Sequence, residues 1–302
     1  MMNGPMLSRR HALSTLGLLA VAGVALPLRA RAALAGVRIG YTAMTWGEND
    51  RQAIDDIAEL GYKGVQFRAN VVQSFQPAEL RDLLQKKGLA FTALSSGLVD
   101  IDADPNGEIE RHVANARFVQ AAGGQYLQLL DKLGSFGRAF NPAACARLGK
   151  LLTEIGSACT ALGVSASYHN HLNTLSESPA GLDAVLAASD PRHVKFELDT
   201  AHAVAGGANP ATLIERYHDR LAFLHLKDLR DLVGESKAKY PFQFVELGRG
   251  RVDLASVFAA LDKVGFRGWA VVELDRVPDK GGSPKQSAAI SKAFLQAHDV
   301  VV

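Results

Sequence analysis

Four short apolar runs in the C-terminal half of the chain end in residues that bind metals or move protons. They are GVSASYHNH (163–171), HVKFELD (193–199), LAFLHLK (221–227) and WAVVELD (269–275). In an extended chain, alternate residues share a face. One face of the first run then carries Ser165, Ser167, His169 and His171, and one face of the second Lys195, Glu197 and Asp199. The third run aligns His225 with Lys227, and the fourth Glu273 with Asp275. His169, Asp199, His225 and Glu273 fall at one level, near the ends of their runs. Carboxylates and imidazoles that converge repel or go unpaired unless a cation sits among them. Two nitrogens and two oxygens suit one divalent transition ion, such as Mn, Zn, Co or Fe. A register two residues further on would select His171 in place of His169. Each residue also has a plainer reading: a hydrogen-bonded core histidine, a helix cap at the end of HVKFELD, an arginine partner for Glu273. Four at one level favour the site.

Such convergence needs strands whose ends meet. The other strand candidates are VRIGY (37–41), GVQFR (64–68), LAFTAL (89–94) and QYLQLL (125–130). Each of the eight is short and apolar enough to be buried on both faces. Between them lie helix patterns with start and stop signals. ENDRQAIDDIAELG places Ile54, Ile57 and Leu60 on one face and stops at Gly61. PAELRDLLQKKG starts at Pro77, and PAACARLGKLLTEIGSACTALG runs from Pro142 to Gly163. NPATLIERY has Asn209 as cap and Pro210 first in the helix, and DLASVFAALDKVG runs from Asp253 to Gly265. Alternation of this kind predicts an α/β fold with a parallel sheet. Eight units over about 265 residues fit a (β/α)8 TIM barrel, whose active sites lie where the strand C-termini converge. A doubly wound open sheet is the second choice; it is weakened by the lack of a G-x-G-x-x-G turn after the first strand.

The N-terminus reads differently. Arg9-Arg10 precedes an apolar stretch from Ala12 to Leu26, and an A-x-A site follows at Ala30-Arg31-Ala32. The stretch is short for a membrane span, and its flanks suit a secretory signal of the twin-arginine type over residues 1–32. An uncleaved anchor is the alternative. The expected product is a single catalytic domain over 36–302, exported folded to the periplasm or beyond, without a stable membrane span. Residues 1–32 hold four of the 33 basic residues and no acid, leaving 29 against 31 acidic residues. The remaining charge of about −2 gives no footprint for nucleic acid. Cys145 and Cys159 lie in one helical pattern about 21 Å apart, beyond disulfide reach, and read as core residues.

YHNH, ELDTAHAVAGGANP, HLKD and VELGRGRVDLASVFAALDKVGFRGWAVVELD together resemble the sugar phosphate isomerase/epimerase family of xylose isomerase-like TIM barrels. The resemblance spans nearly all of the chain after residue 32. It implies one divalent metal held from strands five to eight, with Asp199, His225 and Glu273 in the sixth, seventh and eighth positions. It implies a substrate contact for His202. Many members have Glu in the fifth position, where this chain has His169 or His171. Epimerases of the family use two glutamates on opposite sides of the substrate, and only Glu273 is in place here.

The resemblance thus implies a carbohydrate substrate whose carbonyl and neighbouring hydroxyl are held by the metal. Glu273 would take a proton beside the carbonyl, and His171, His202 or Lys227 would return one. The leading expectation is an isomerase or epimerase acting on an unphosphorylated sugar or polyol. A dehydratase or 3-keto-glycoside lyase or hydrolase on the same scaffold is the alternative, and a sugar-binding barrel without activity a further one. An endonuclease-like barrel lacks the extra ligands and the basic groove. Trp46 in TAMTWGE is placed at the mouth, where it would stack on a sugar or pack the rim. Arg68 would meet a polar substituent or form a surface ion pair. Gly248 and Gly250 shape a loop.

Overall fold

A computed structural model describes residues 34, 36–134, 137, 139–234 and 239–302. The expected signal segment, 1–32, lies outside the described residues. Eight strands close into a parallel barrel. They are β1 (Arg38–Thr42), β2 (Gly64–Arg68), β3 (Ala90–Val99), β4 (Tyr126–Asp131), β5 (Ser165–His169), β6 (Val194–Asp199), β7 (Leu221–Leu226) and β10 (Trp269–Val272). Consecutive barrel strands pair, and β10 closes the ring on β1 with Arg38 opposite Trp269 and Tyr41 opposite Val272. The open-sheet alternative is thereby excluded. Two further strands, β8 (Asp228–Asp231) and β9 (Phe242–Val245), form an antiparallel ribbon after β7.

The outer helices start where their caps dictate. Asn49 caps α1 (Asp50–Glu59) through the amide of Gln52 at 3.3 Å. Pro77 opens α3 (Pro77–Lys87), which follows the short α2 (Val71–Ser74), and Gly88 closes it at φ 69°, a left-handed position that favours glycine. Asp104, Asn141, Ser178 and Asn209 cap α4 (Pro105–Ala121), α5 (Pro142–Ala161), α6 (Pro179–Ala188) and α8 (Pro210–Tyr217), each with proline next in sequence. Between α6 and α8 lies the short α7 (Thr200–Ala205), and α9 (Leu254–Lys263) and α10 (Pro284–Ala297) complete the shell. Cys145 and Cys159 are both buried in α5 without a disulfide, as expected. Among the described residues no helix is long and apolar enough to cross a membrane.

The barrel interior changes character along its axis. Trp269, Phe223, Ala93 and Val271 pack together near the strand N-termini, with Tyr126 stacked on Phe223 at 4.9 Å. Gly64 makes room for this floor: a Cβ there would lie 2.7 Å from the Trp269 ring. One layer above, the inward positions turn polar, with Gln66, Gln128, Ser167, Glu197 and His225 all buried. At the rim stand His169, Asp199 and Glu273.

Candidate metal centre

The rim of β5, β6 and β7 is stitched by the residues between the candidate ligands. Asn170, between the two histidines, accepts from the backbone amide of Asp199 at 2.8 Å and donates to its carbonyl at 3.2 Å. Thr200 Oγ1 donates to the Lys227 carbonyl at 2.7 Å and accepts from its amide at 2.9 Å. Asp199 ends β6 and caps α7, its Oδ1 accepting from the His202 amide at 2.7 Å. The other oxygen, Oδ2, is left for the site.

His225 is the hub. Its Nε2 lies 3.0 Å from Glu197 Oε1 and 2.9 Å from Gln66 Oε1. Both are acceptors, so Nε2 carries a hydrogen and, in the neutral ring, Nδ1 presents its lone pair. That Nδ1 faces Glu273 Oε2 at 3.2 Å and Asp199 Oδ2 at 3.7 Å, in directions that make no hydrogen bond. Three sets of donor atoms lie close enough to share an ion: Asp199, His225 and Glu273; His169, Glu197 and His225; and His169, His171 and His202. His169 Nδ1, Glu197 Oε2, Asp199 Oδ2 and His225 Nδ1 are buried without hydrogen-bond partners. Buried polar atoms are rarely left so. Orphaned nitrogens and carboxylate oxygens converging from three strands, with Glu273 facing them, fit one divalent cation.

The charges agree. Burial opposes ionisation throughout, yet Glu273, Glu197 and Asp199 outweigh it and hold the His225 imidazole well above its ordinary range. Burial works against the carboxylates too, but Lys227 and His225 keep Asp199 below the usual range, and His225 and Lys227 keep Glu273 well below it. His171 is pushed down to about 4 by burial and by His169 and Lys227. His202 is held well below its normal value by burial and His171. These two rings stand 3.7 Å apart and stay neutral. Lys227 is buried, yet Asp275 and Glu273 raise its ammonium above the ordinary lysine value. Its Nζ donates to Glu273 Oε1 at 2.7 Å and Asp275 Oδ1 at 2.6 Å, and lies 3.4 Å from His202 Nε2.

The structure therefore gathers His169, His171, Asp199, His202, His225, Lys227 and Glu273. β5 ends at His169, and His171 lies beyond it with Nδ1 turned to the Leu172 carbonyl at 2.6 Å. Arg68 borders a small gap shared with Gln66 and Glu273 and donates to the Gly47 carbonyl at 2.8 Å. The Trp46 indole donates to Asp56 of α1 at 2.8 Å, and its ring meets Tyr41 edge-on. The amides of Gly248 and Gly250 are taken by the Asp228 carboxylate at 3.1 and 2.9 Å. Sequence reasoning left Glu197 out of the site. The available signal was its spacing: two residues before Asp199, on the same inward face. Gln66 and Gln128 carry the same signal on their own strands.

Residues 54–298 match the family described as xylose isomerase-like TIM barrel. An inosose dehydratase of Lacticaseibacillus casei is 25% identical over 292 residues, covering 86% of this chain and 97% of that protein. An inosose dehydratase of Geobacillus kaustophilus is 27% identical, covering 85% and 93%. Among solved structures, the IOLI protein with a bound zinc atom superposes with a TM-score of 0.70 at 17% identity, covering 86% of this chain and 97% of that one. The relatives favour the dehydratase alternative over the isomerase or epimerase reading. Matched over most of its length and built around the same closed barrel, the chain belongs to the xylose isomerase-like TIM barrel family.

Proposed function

We propose that the chain is a metal-dependent dehydratase acting on a keto-polyol ring. The observation that carries this is the buried contact of 2.7 Å between Lys227 Nζ and Glu273 Oε1. It sets a proton acceptor and a proton donor on one wall of the mouth. The family's epimerases use a second glutamate from the fifth strand for the opposite face, and at that position this chain has His169. A divalent ion held by Asp199, His225 and Glu273, with His169 beside them, would polarise the ketone and its neighbouring hydroxyl.

Glu273 takes the proton from the carbon next to the ketone. The electron pair of that bond forms a carbon–carbon double bond as the hydroxyl one carbon further leaves. Lys227 protonates the departing oxygen, so water is released. The proton on Glu273 then passes to Lys227 across their hydrogen bond, and the enzyme returns to its starting state. His171 and His202, neutral and adjacent, orient the ring hydroxyls. The twin-arginine segment supports an exported enzyme with an unphosphorylated substrate.

The test is to incubate the manganese- or zinc-loaded protein with a keto-inositol in deuterated water and follow mass. Loss of one water, abolished by chelation, is the expected result. Deuterium uptake without loss of water would replace dehydration with epimerisation. Lys227→Met should lower kcat by about 10²–10⁴-fold, the range for a lost general acid.

A further inference from the structure

The barrel ring places β1 across from β5 and its histidines, and β1 brings a polar group of its own to the site. Arg38, Gly40 and Thr42 share one face of that strand. The Arg38 guanidinium lies 4.1 Å from the centre of the Trp269 ring on the barrel floor, so this face points inward. Thr42 then projects into the barrel near the ends of the strands. On one side it pairs in register with Gln66 of β2. On the other it stands beside Glu273, which follows Val272, the partner of Tyr41. Thr45 Oγ1 donates to the Leu274 carbonyl at 2.6 Å, which ties the turn after β1 to the end of β10 and holds Thr42 next to Glu273.

Thr42 is 2% exposed, and its Oγ1 is buried without a hydrogen-bond partner. It lines the same small gap as Glu273, together with Gln66, Arg68 and Ser95. A buried hydroxyl left unpaired is costly, and a ligand group that reaches it removes that cost. The orphaned nitrogens and carboxylate oxygens of β5 to β7 call for a cation. A neutral hydroxyl on β1, outside that set, calls for a hydrogen-bonding partner instead. Threonine both donates and accepts, so a ligand hydroxyl can satisfy it in either sense. A bare methylene at this point would leave it unpaired.

We propose that Thr42 is a specificity-determining residue, which hydrogen-bonds one ring hydroxyl of the substrate on a carbon that the ion does not hold. The ring then spans the mouth. Its ketone faces the ion on one side, Thr42 holds a hydroxyl on the other, and the carbon that loses its proton is turned to Glu273 between them. A site built this way rejects a ring that lacks the hydroxyl. The nature of the ring rests on the dehydratase reading; the demand for a hydroxyl comes from Thr42 alone.

Thr42→Val removes the hydroxyl at nearly the same volume, and Thr42→Ser keeps it. Thr42→Val should raise KM for a keto-inositol about tenfold with kcat unchanged, the scale of one lost hydrogen bond. Thr42→Ser should restore the wild-type KM. Among monodeoxy keto-inositols, one should give the wild type and Thr42→Val the same KM, because it lacks the hydroxyl that Thr42 holds. Calorimetry of the zinc-loaded protein with inositol, which carries no ketone, should show a loss of affinity of the same size in Thr42→Val. The melting temperature without ligand should not fall, since the hydroxyl has no partner to lose. A lower melting temperature would assign the hydroxyl to the fold and overturn the proposal. Equal KM and equal inositol affinity in the wild type and Thr42→Val would also overturn it. So would an undiminished effect on every deoxy analogue, or a wild type that binds no inositol. If no keto-inositol is turned over, the inositol measurement still decides Thr42, and the failure belongs to the dehydratase reading.

Discussion

Glu197 touches three site residues from beneath: it accepts from Gln128 Nε2 at 2.6 Å, faces His225 Nε2 at 3.0 Å and lies 3.3 Å from His169 Nδ1. Groups in this position fix the tautomer and orientation of a metal-binding histidine. Glu197→Gln should weaken zinc or manganese binding by about 10–100-fold, measured by competition with a chromophoric chelator. An unchanged affinity would remove Glu197 from the site. His112 offers a pH test well away from the metal. It is buried in α4 beside Ser96 Oγ at 2.6 Å, with Arg111 Nη2 3.1 Å and Glu108 Oε2 3.7 Å from its Nε2. Burial, helped by Arg111, lowers it from 6.5 to about 3. Between those values the unfolded chain binds the proton and the folded chain does not, so stability falls as pH drops through that window. His112→Asn should shrink the loss of unfolding free energy between pH 7 and pH 5 by about 2 kcal/mol, read from urea titrations at the two pH values. His169, Asp199, His225 and Glu273 were legible because period-two alternation leaves carboxylates and imidazoles near strand ends. Glu197 was not, because one strand sequence does not say how far down a barrel an inward side chain sits.

Elements were legible where local chemistry marks them. Prolines 77, 142 and 210 and glycines 61 and 88 fixed the start or end of four outer helices. Helices α4, α6 and α10 passed unremarked, and so did the β8–β9 ribbon, which is an insertion to the eightfold pattern rather than part of it. That ribbon is tied down by one carboxylate. Asp228 accepts from the amides of Leu229, Gly248, Gly250 and Val252 at 2.8 to 3.1 Å. Gly248 sits at φ 80° against the Phe294 ring, and a Cβ at Gly250 would strike the Asp228 carboxylate. Asp228→Ala leaves several donors without acceptors and should cost about 3 kcal/mol or more, seen as a lower urea midpoint. Asp228→Asn keeps part of the set and should cost less. Equal costs would show that the amides find water instead.

Across the whole molecule, barrel closure brings side chains from residues 66 to 273 to one place, which no spacing argument from a single strand can show. An ion that binds only the folded barrel should stabilise it by about 2.7 kcal/mol when present at 100 times its Kd. The melting temperature should rise by several degrees with zinc or manganese and return with chelator. Export by the twin-arginine route predicts that Arg9→Lys with Arg10→Lys keeps the protein in the cytoplasmic fraction; unaltered export would reject the route. The apolar floor of Trp269, Phe223 and Tyr126 has a consequence for traffic. A tube plugged at its base has one doorway. An ion held by Asp199, His225 and Glu273 beneath a bound sugar would have to arrive before it and leave after it. Bound substrate should therefore act as a cork, slowing the escape of the ion to chelator.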